Sequence, residues 1–265
     1  MNTPQPSAAE LLAVYDAQLR GEAEVYDALS WTRDGLLYRG VFDRKGFVSY
    51  VSLDGVDVAR LIQRTIGHYR DELSVDEFEW KTRGHDERAE QLHQELSNAG
   101  FVAEEPETVM VGAAKLLSHP VVTPPTVNVR RVDNLAEAAD LIARATAMQR
   151  KVFNGGHSAE ETLARLQRSK GTEQFWVAEV LDEIVCAGRL TLIPNADFAG
   201  LWGGATRPDW RGQGIYRART AARAGSALAA GKHYLHSDCS PMSRPILERS
   251  GLTAVTATTP YIWHR

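Results

Sequence analysis

Gly203-Gly204-Ala205-Thr206-Arg207-Pro208-Asp209-Trp210-Arg211-Gly212-Gln213-Gly214-Ile215-Tyr216 is the stretch on which the reading of this chain turns. It reads as a strand running into a glycine turn that opens an alanine-rich helix, which continues to Ala230 and is stopped by Gly231. Such a turn leaves several backbone amides unpaired, and the positive end of the helix dipole adds to their attraction for an anion. Glycine at 212 and 214 keeps a Cβ from barring a phosphate's approach to the backbone. The Gly-Lys-Ser/Thr ending of a Walker loop is missing, and so is the three-glycine spacing of a dinucleotide fingerprint. The stretch therefore predicts a phosphate cradle of another kind.

Upstream, Val127 to Val132 alternates as a short strand, and Leu135 to Gln149 has helical spacing with Asn134 as its N-cap. Ser158-Ala159-Glu160-Glu161 fits the capping-box pattern before a second helix running to about Gln167. Phe175 to Val180, Ile184 to Thr191 and Phe198 to Thr206 are rich in β-branched and aromatic residues and read as an antiparallel meander. Downstream come a strand (Tyr234 to Cys239), a short helix ending at Gly251, and two terminal strands around Ala254 and Tyr261.

Farther upstream, three prolines fall within Pro120-Val121-Val122-Thr123-Pro124-Pro125, the pattern of a stiff extended linker. Residues 1–120 carry 21 acids and 12 bases, net −9, and residues 121–265 carry 13 acids and 18 bases, net +5. The first half repeats the order of the last part of the second: strand Gly46 to Leu53, helix Val56 to Tyr69, strand Val75 to Lys81, and helix Glu87 to Asn98 closed by Gly100. Its strand-to-helix loop is Asp54-Gly55, so the first half has no cradle. The expected division is 1–118, a linker at 119–126, and 127–265.

The chain has 265 residues, 43% hydrophobic and 24% charged, a composition that excludes disorder. A net charge of −4 argues against a protein built to bind nucleic acid, and no apolar run reaches membrane length. The polar start lacks signal-peptide features, and two cysteines are too few for a disulfide framework, so the expected location is cytoplasmic. Eight scattered histidines and no Cys-x-x-Cys pair predict no metal.

Pro208-Asp209-Trp210-Arg211-Gly212-Gln213-Gly214 followed by a helix resembles the acetyl-CoA motif of the GCN5-related N-acetyltransferases (GNAT), Arg/Gln-x-x-Gly-x-Gly/Ala after a bulged fourth strand. Residues 127–265 are similar to that family throughout, Ser240 to Leu252 matching its fourth helix, and residues 1–118 resemble a degenerate second copy. The resemblance implies an α/β (mixed α+β) fold of two tandem acyltransferase domains, each a mostly antiparallel sheet flanked by helices. It implies that amides of Gly212, Gln213, Gly214, Ile215 and Tyr216 hold the pyrophosphate of acetyl-CoA, with Arg211 at the motif's first position and Arg217 close by. Ala205 and Thr206 would pair with the pantetheine arm, and Ser240 stands where the family often has an asparagine. Two positions depart from the pattern. Tyr216 replaces a small residue, and Leu247 stands where many members carry the tyrosine that protonates the departing thiolate.

The implied reaction is direct attack of a small-molecule primary amine on the thioester, assisted by a base. No carboxylate lies between Phe198 and Thr206, where the family often places one. Asp238 and Tyr261 are the chosen candidates, with Asp197 and His236 behind them, although each also reads as structural. Trp202 and Trp210 read as packing, and Arg217, Arg219 and Arg223 as a solvated helix face, of which Arg217 alone is near enough to serve the phosphates. An acyl-CoA-binding protein without turnover, and transfer to a hydroxyl or thiol, stay open. A tandem supplies its own pairing, so a monomer is expected, with a dimer open.

Overall fold

A computed structural model describes residues 6–43, 45–73, 75–135 and 138–265. In chain order the first elements are α1 (Ala8–Leu19), β1 (Ser30–Asp34), β2 (Leu37–Phe42), β3 (Lys45–Tyr50), α2 (Val58–Gly67), β4 (Glu77–Arg83), α3 (Ala89–Asn98), β5 (Val102–Ala103), β6 (Glu107–Ala113) and α4 (Ala114–Leu117). They are followed by β7 (Asn128–Arg131), α5 (Ala139–Phe153), α6 (Ala159–Arg168), β8 (Glu173–Val180), β9 (Glu183–Leu192) and β10 (Phe198–Thr206). The last are α7 (Ile215–Ala229), β11 (Tyr234–Cys239), α8 (Arg244–Arg249) and β12 (Thr253–His264).

Local chemistry sets several helix ends. Capping boxes open α1 (Ser7 with Glu10) and α6 (Ser158 with Glu161). Helix α5 starts at Ala139 rather than Leu135, without a side-chain cap from Asn134, and ends at Asn154 in the left-handed region (φ 56°). The expected first residues 136–137 lie outside the described ones. In place of two terminal strands there is one continuous β12, because nothing between Ala254 and Tyr261 turns the chain.

The structure resolves into two compact units that are not the stretches on either side of the prolines. Unit 1 comprises Met1–Met110, Asp238–Arg244 and Ala254–Arg265, and unit 2 comprises Val111–Ser237 and Pro245–Thr253. In unit 1 the strands run β1-β2-β3-β4-β12, with β5 also on β12. All of these pairs are antiparallel except β3 with β4, and the core gathers Val48, Tyr69, Phe78 and Trp80 under α2 and α3.

In unit 2 the order is β7-β8-β9-β10-β11, antiparallel except for β10 with β11. Successive strand residues serve opposite faces. Val177 and Ala187 pack with Ile142 and Leu166 of α5 and α6, while Ala178 and Cys186 pack with Ile215 of α7. Among the described residues no helix is long and apolar enough to cross a membrane.

Candidate functional site

The site in unit 2 starts from the one parallel pair. Strands β10 and β11 are in register over Phe198↔Tyr234, Ala199↔Leu235 and Gly200↔His236, and the ladder stops there. Beyond it the Ser237 hydroxyl donates to the Leu201 carbonyl at 2.9 Å. From that point β10 keeps only its β9 partner, so its other edge has peptide groups without a ladder. On the β9 side the register shifts between Trp202 and Ala205, and Gly203 takes φ +58°. Gln149 of α5 donates to the Gly203 carbonyl at 2.6 Å and fixes the bulge. Phe198 stacks on Tyr234 at 5.1 Å within the ladder, and at its end Trp202 stands edge-on to His236 at 5.2 Å.

Strand β10 delivers the chain into the glycine turn. Gly212 and Gly214 take φ +75° and +78°, a region that glycine enters without strain. Gly214 is the N-cap of α7 and provides no side-chain cap, and no acid lies in the first turn. The amides of Gly212, Gln213, Gly214, Ile215, Tyr216 and Arg217 donate to no backbone carbonyl among the described residues. Asp209, just before the turn, is occupied by Arg207 at 2.7 Å. The start of α7 is thus a row of free donors at the positive end of a helix, the arrangement that favours a phosphate.

The two glycines differ in their surroundings. A Cβ on Gly212 would meet nothing within 4 Å, as an opening for a ligand requires. A Cβ on Gly214 would come to 2.7 Å from the carbonyl oxygen of Val122, so the proline-rich stretch rests against the helix start.

Around the turn, Arg211 is exposed and its Nε donates to the Thr206 carbonyl at 3.2 Å. An adjoining groove of about 710 Å³ is lined by Arg144, Lys151, Arg207 and Arg211 together with Asp182 and Glu183. Ala205 and Thr206 are buried, and Arg217 is exposed.

Arg219 and Arg223 are not a solvated face. Both are fully buried, because Gly188 and Gly204 leave room beneath α7 for the Arg219 guanidinium, whose Nη2 would be 2.9 Å from a Cβ on Gly204. Arg219 also lies over the Tyr216 ring, 5.1 Å from its centroid, so the large residue at position 216 turns inward as a cation–π partner. Burial, with Arg219 adding like-charge repulsion, pushes Arg223 down to about 9.

Asp238, Ser240 and Tyr261 belong to unit 1. The Asp238 carboxylate is buried, and its Oδ2 pairs with Lys81 Nζ at 2.6 Å. Lys81 also pairs with Glu24 at 2.8 Å, and the other oxygen of Glu24 is bound by Arg83 and the Ser49 hydroxyl. Burial opposes ionisation of Glu24, but Arg83 and then Lys81 overcome it and hold the carboxyl at about 2. Nearby Glu79 is pushed up to about 7 by burial, Lys81 opposing and Glu107 and Glu104 adding. Tyr261 is buried and stacks on His93 at 5.3 Å, with burial raising its hydroxyl pKa. Ser240 is exposed, and its carbonyl accepts from the amides of Ser243 and Arg244.

Leu247, in unit 2, is a buried apolar side chain. Among the described residues no group of three or more His, Cys, Asp or Glu is placed to hold a metal.

No protein-family model and no curated protein sequence matches the chain. Solved structures do. A GCN5-related N-acetyltransferase from Kribbella flavida superposes with a TM-score of 0.68 at 15% identity, covering 96% of this chain and 94% of its own. One from Sphaerobacter thermophilus gives 0.61 at 17% identity over 86% and 76%. A tandem GNAT protein from the clavulanic acid biosynthesis pathway gives 0.62 at 11% identity over 98% and 97%. The fold is therefore that of the GCN5-related N-acetyltransferases.

Proposed function

We propose that the protein transfers an acetyl group from acetyl-CoA to a primary amine of a small molecule, and that unit 2 holds the CoA. The observation that carries this reading is the uncapped start of α7, whose amides from Gly212 to Arg217 have no backbone acceptor and whose Gly212 faces open space. Residues and ligand fit: a pyrophosphate supplies the acceptors that these donors lack. Arg211 and the exposed Arg217 add positive charge beside it. The free edge of β10 around Ala205 and Thr206 offers peptide groups to the amides of a pantetheine arm.

Bound acetyl-CoA would supply an activated acyl group: the amine nitrogen bonds to the thioester carbon, the carbon–sulfur bond breaks, and the nitrogen's proton ends on solvent or sulfur. Strand β10 brings no carboxylate to take that proton, and the buried Asp238 carboxylate is already held by Lys81 at 2.6 Å. Water is left as the carrier, which suits an amine that reaches the site already neutral.

Buried Leu247 and the absence of a carboxylate on β10 support a second reading, CoA binding without turnover. Acceptors with a hydroxyl or thiol remain the nearest chemical relatives of the first. One experiment separates these. CoA binding is followed calorimetrically in the protein and in Gly212→Val, and thiol release is followed with acetyl-CoA and panels of amines, alcohols and thiols. We expect binding that weakens at least about tenfold in Gly212→Val, equivalent to about 1.4 kcal/mol, and thiol release with amines. No CoA binding, or binding indifferent to the substitution, overturns the reading.

A further inference from the structure

On the α5–α6 side of the bulge, unit 2 has a second, smaller pocket of about 80 Å³, lined by Gln149, Arg150, Phe153, His157, Arg189 and Gly203 among others. Gly203 is the bulged residue of β10, so the pocket opens onto the strand that the proposed function assigns to the pantetheine arm. No carboxylate lines it.

Two of its lining residues are arginines, Arg150 and Arg189. Arg189 Nε lies 3.3 Å from Glu173 Oε1, and Arg165 Nε lies 2.6 Å from Glu173 Oε2, so the two guanidiniums share one buried carboxylate. Arg150, exposed on α5, has no ion pair among the described residues. Phe153 and Phe175 contribute apolar wall.

We infer that the acceptor amine carries an anionic oxyacid group, a carboxylate or a phosphate, that docks against Arg150 and Arg189 while its nitrogen faces Gly203. Guanidinium groups suit such an anion because their planar donors match its paired oxygens. The same wall disfavours the protonated form of an amine held near it and so enriches the neutral nucleophile, which offsets the missing base on β10. A pocket this small takes an acceptor of amino-acid size and excludes polycations. The inference rests on the acyl-transfer reading for its orientation, but its recognition chemistry is separable from turnover.

The test is binding of matched pairs to the protein saturated with CoA: an α-amino acid against its carboxamide, phosphoethanolamine against ethanolamine, with spermidine as a polycation. Thiol release from acetyl-CoA is measured in parallel. The expected result is binding at least tenfold tighter for one anionic member over its neutral partner, a preference that collapses toward unity in Arg150→Gln and returns in part in Arg150→Lys. Equal binding of both pairs, no binding of any member, tightest binding of spermidine, or a preference that survives Arg150→Gln each overturns it. Anion-selective binding without thiol release keeps this inference and defeats acyl transfer. Thiol release without anion preference does the reverse.

Discussion

Each unit contains one parallel strand pair that parts partway along, and the two partings are used in opposite ways. In unit 1, β3 and β4 are in register from Lys45↔Glu77 to Val48↔Trp80 and then separate. Glu24 enters there from the segment after α1 and ties together Ser49 of β3 with Lys81 and Arg83 of β4. The Gly21 amide donates to the Ser49 hydroxyl, and Arg20 grips Asp86 with two bonds of 2.9 Å. The helix that follows β3 is capped by its own chain, the Asp57 carboxylate accepting from the Arg60 amide at 3.0 Å. In unit 2 the edge of β10 stays without a ladder partner, and α7 starts on an uncapped glycine. The same architecture thus makes a closed support when an acid caps the helix and charges fill the gap, and leaves an open strand edge beside unpaired helix-start donors when glycine replaces the cap. An anion-binding helix start is defined as much by the acceptor that is withheld as by the donors that are present.

That contrast can be broken at several points. Arg83→Met removes the main counter-charge of a buried carboxylate, and a loss of about 3–5 kcal/mol in urea denaturation is expected; a loss below about 1 kcal/mol would mean that Glu24 does not depend on it. Titration probes the same charges without mutation. Glu24 is depressed from 4.5 to about 2, so its contribution is complete above pH 4.5 and disappears as pH falls from 4.5 toward 2. It amounts to about 3 kcal/mol, and Glu24→Gln flattens that acid limb of the stability profile. Glu79 has the opposite sign: raised from 4.5 to about 7, it costs stability progressively as pH rises through that interval, and Glu79→Gln removes the slope.

On the open side, Gly212→Ala and Gly214→Ala impose the same backbone demand, and only the second pushes a Cβ toward the Val122 carbonyl. Gly214→Ala should therefore lose about 1–2 kcal/mol more than Gly212→Ala in thermal unfolding without CoA, and equal losses would remove the linker contact from the account. The smallest effect is expected from Asp57→Ala, about 1 kcal/mol of stability with no CoA binding gained in unit 1, since uncapping a helix does not empty the gap beside it.

Local chemistry made the cradle legible. The glycine turn, the Gly231 stop and the capping box at Ser158 each act within a few residues, so order along the chain reveals them. Two signals of the same kind pass unread in the first forty-five residues: the Ser7–Glu10 capping box of α1, and Asp34-Gly35, which joins the hairpin β1–β2. The cluster that fills the gap in unit 1 is different in kind. Glu24, Ser49, Lys81 and Arg83 come from separate segments, and nothing in their spacing announces that they meet. Asp238 becomes a partner of Lys81 for the same reason, across 157 positions. Arg219 and Arg223 look solvated because arginine usually is; the room made for Arg219 appears only when Gly188 and Gly204 come together on neighbouring strands.

Strand β12, at the far end of the chain, pairs with β4 from Thr258↔Arg83 to His264↔Glu77 and belongs wholly to the first unit from Ala254 onward. During synthesis, then, β4 cannot complete its pairing until β12, far downstream, has emerged. Until that moment β4 presents a bare edge of unpaired peptide groups, a template for the wrong strand. The nascent chain must carry that exposed edge while everything between β4 and β12 is made, and residues 1–118 alone would leave it uncovered.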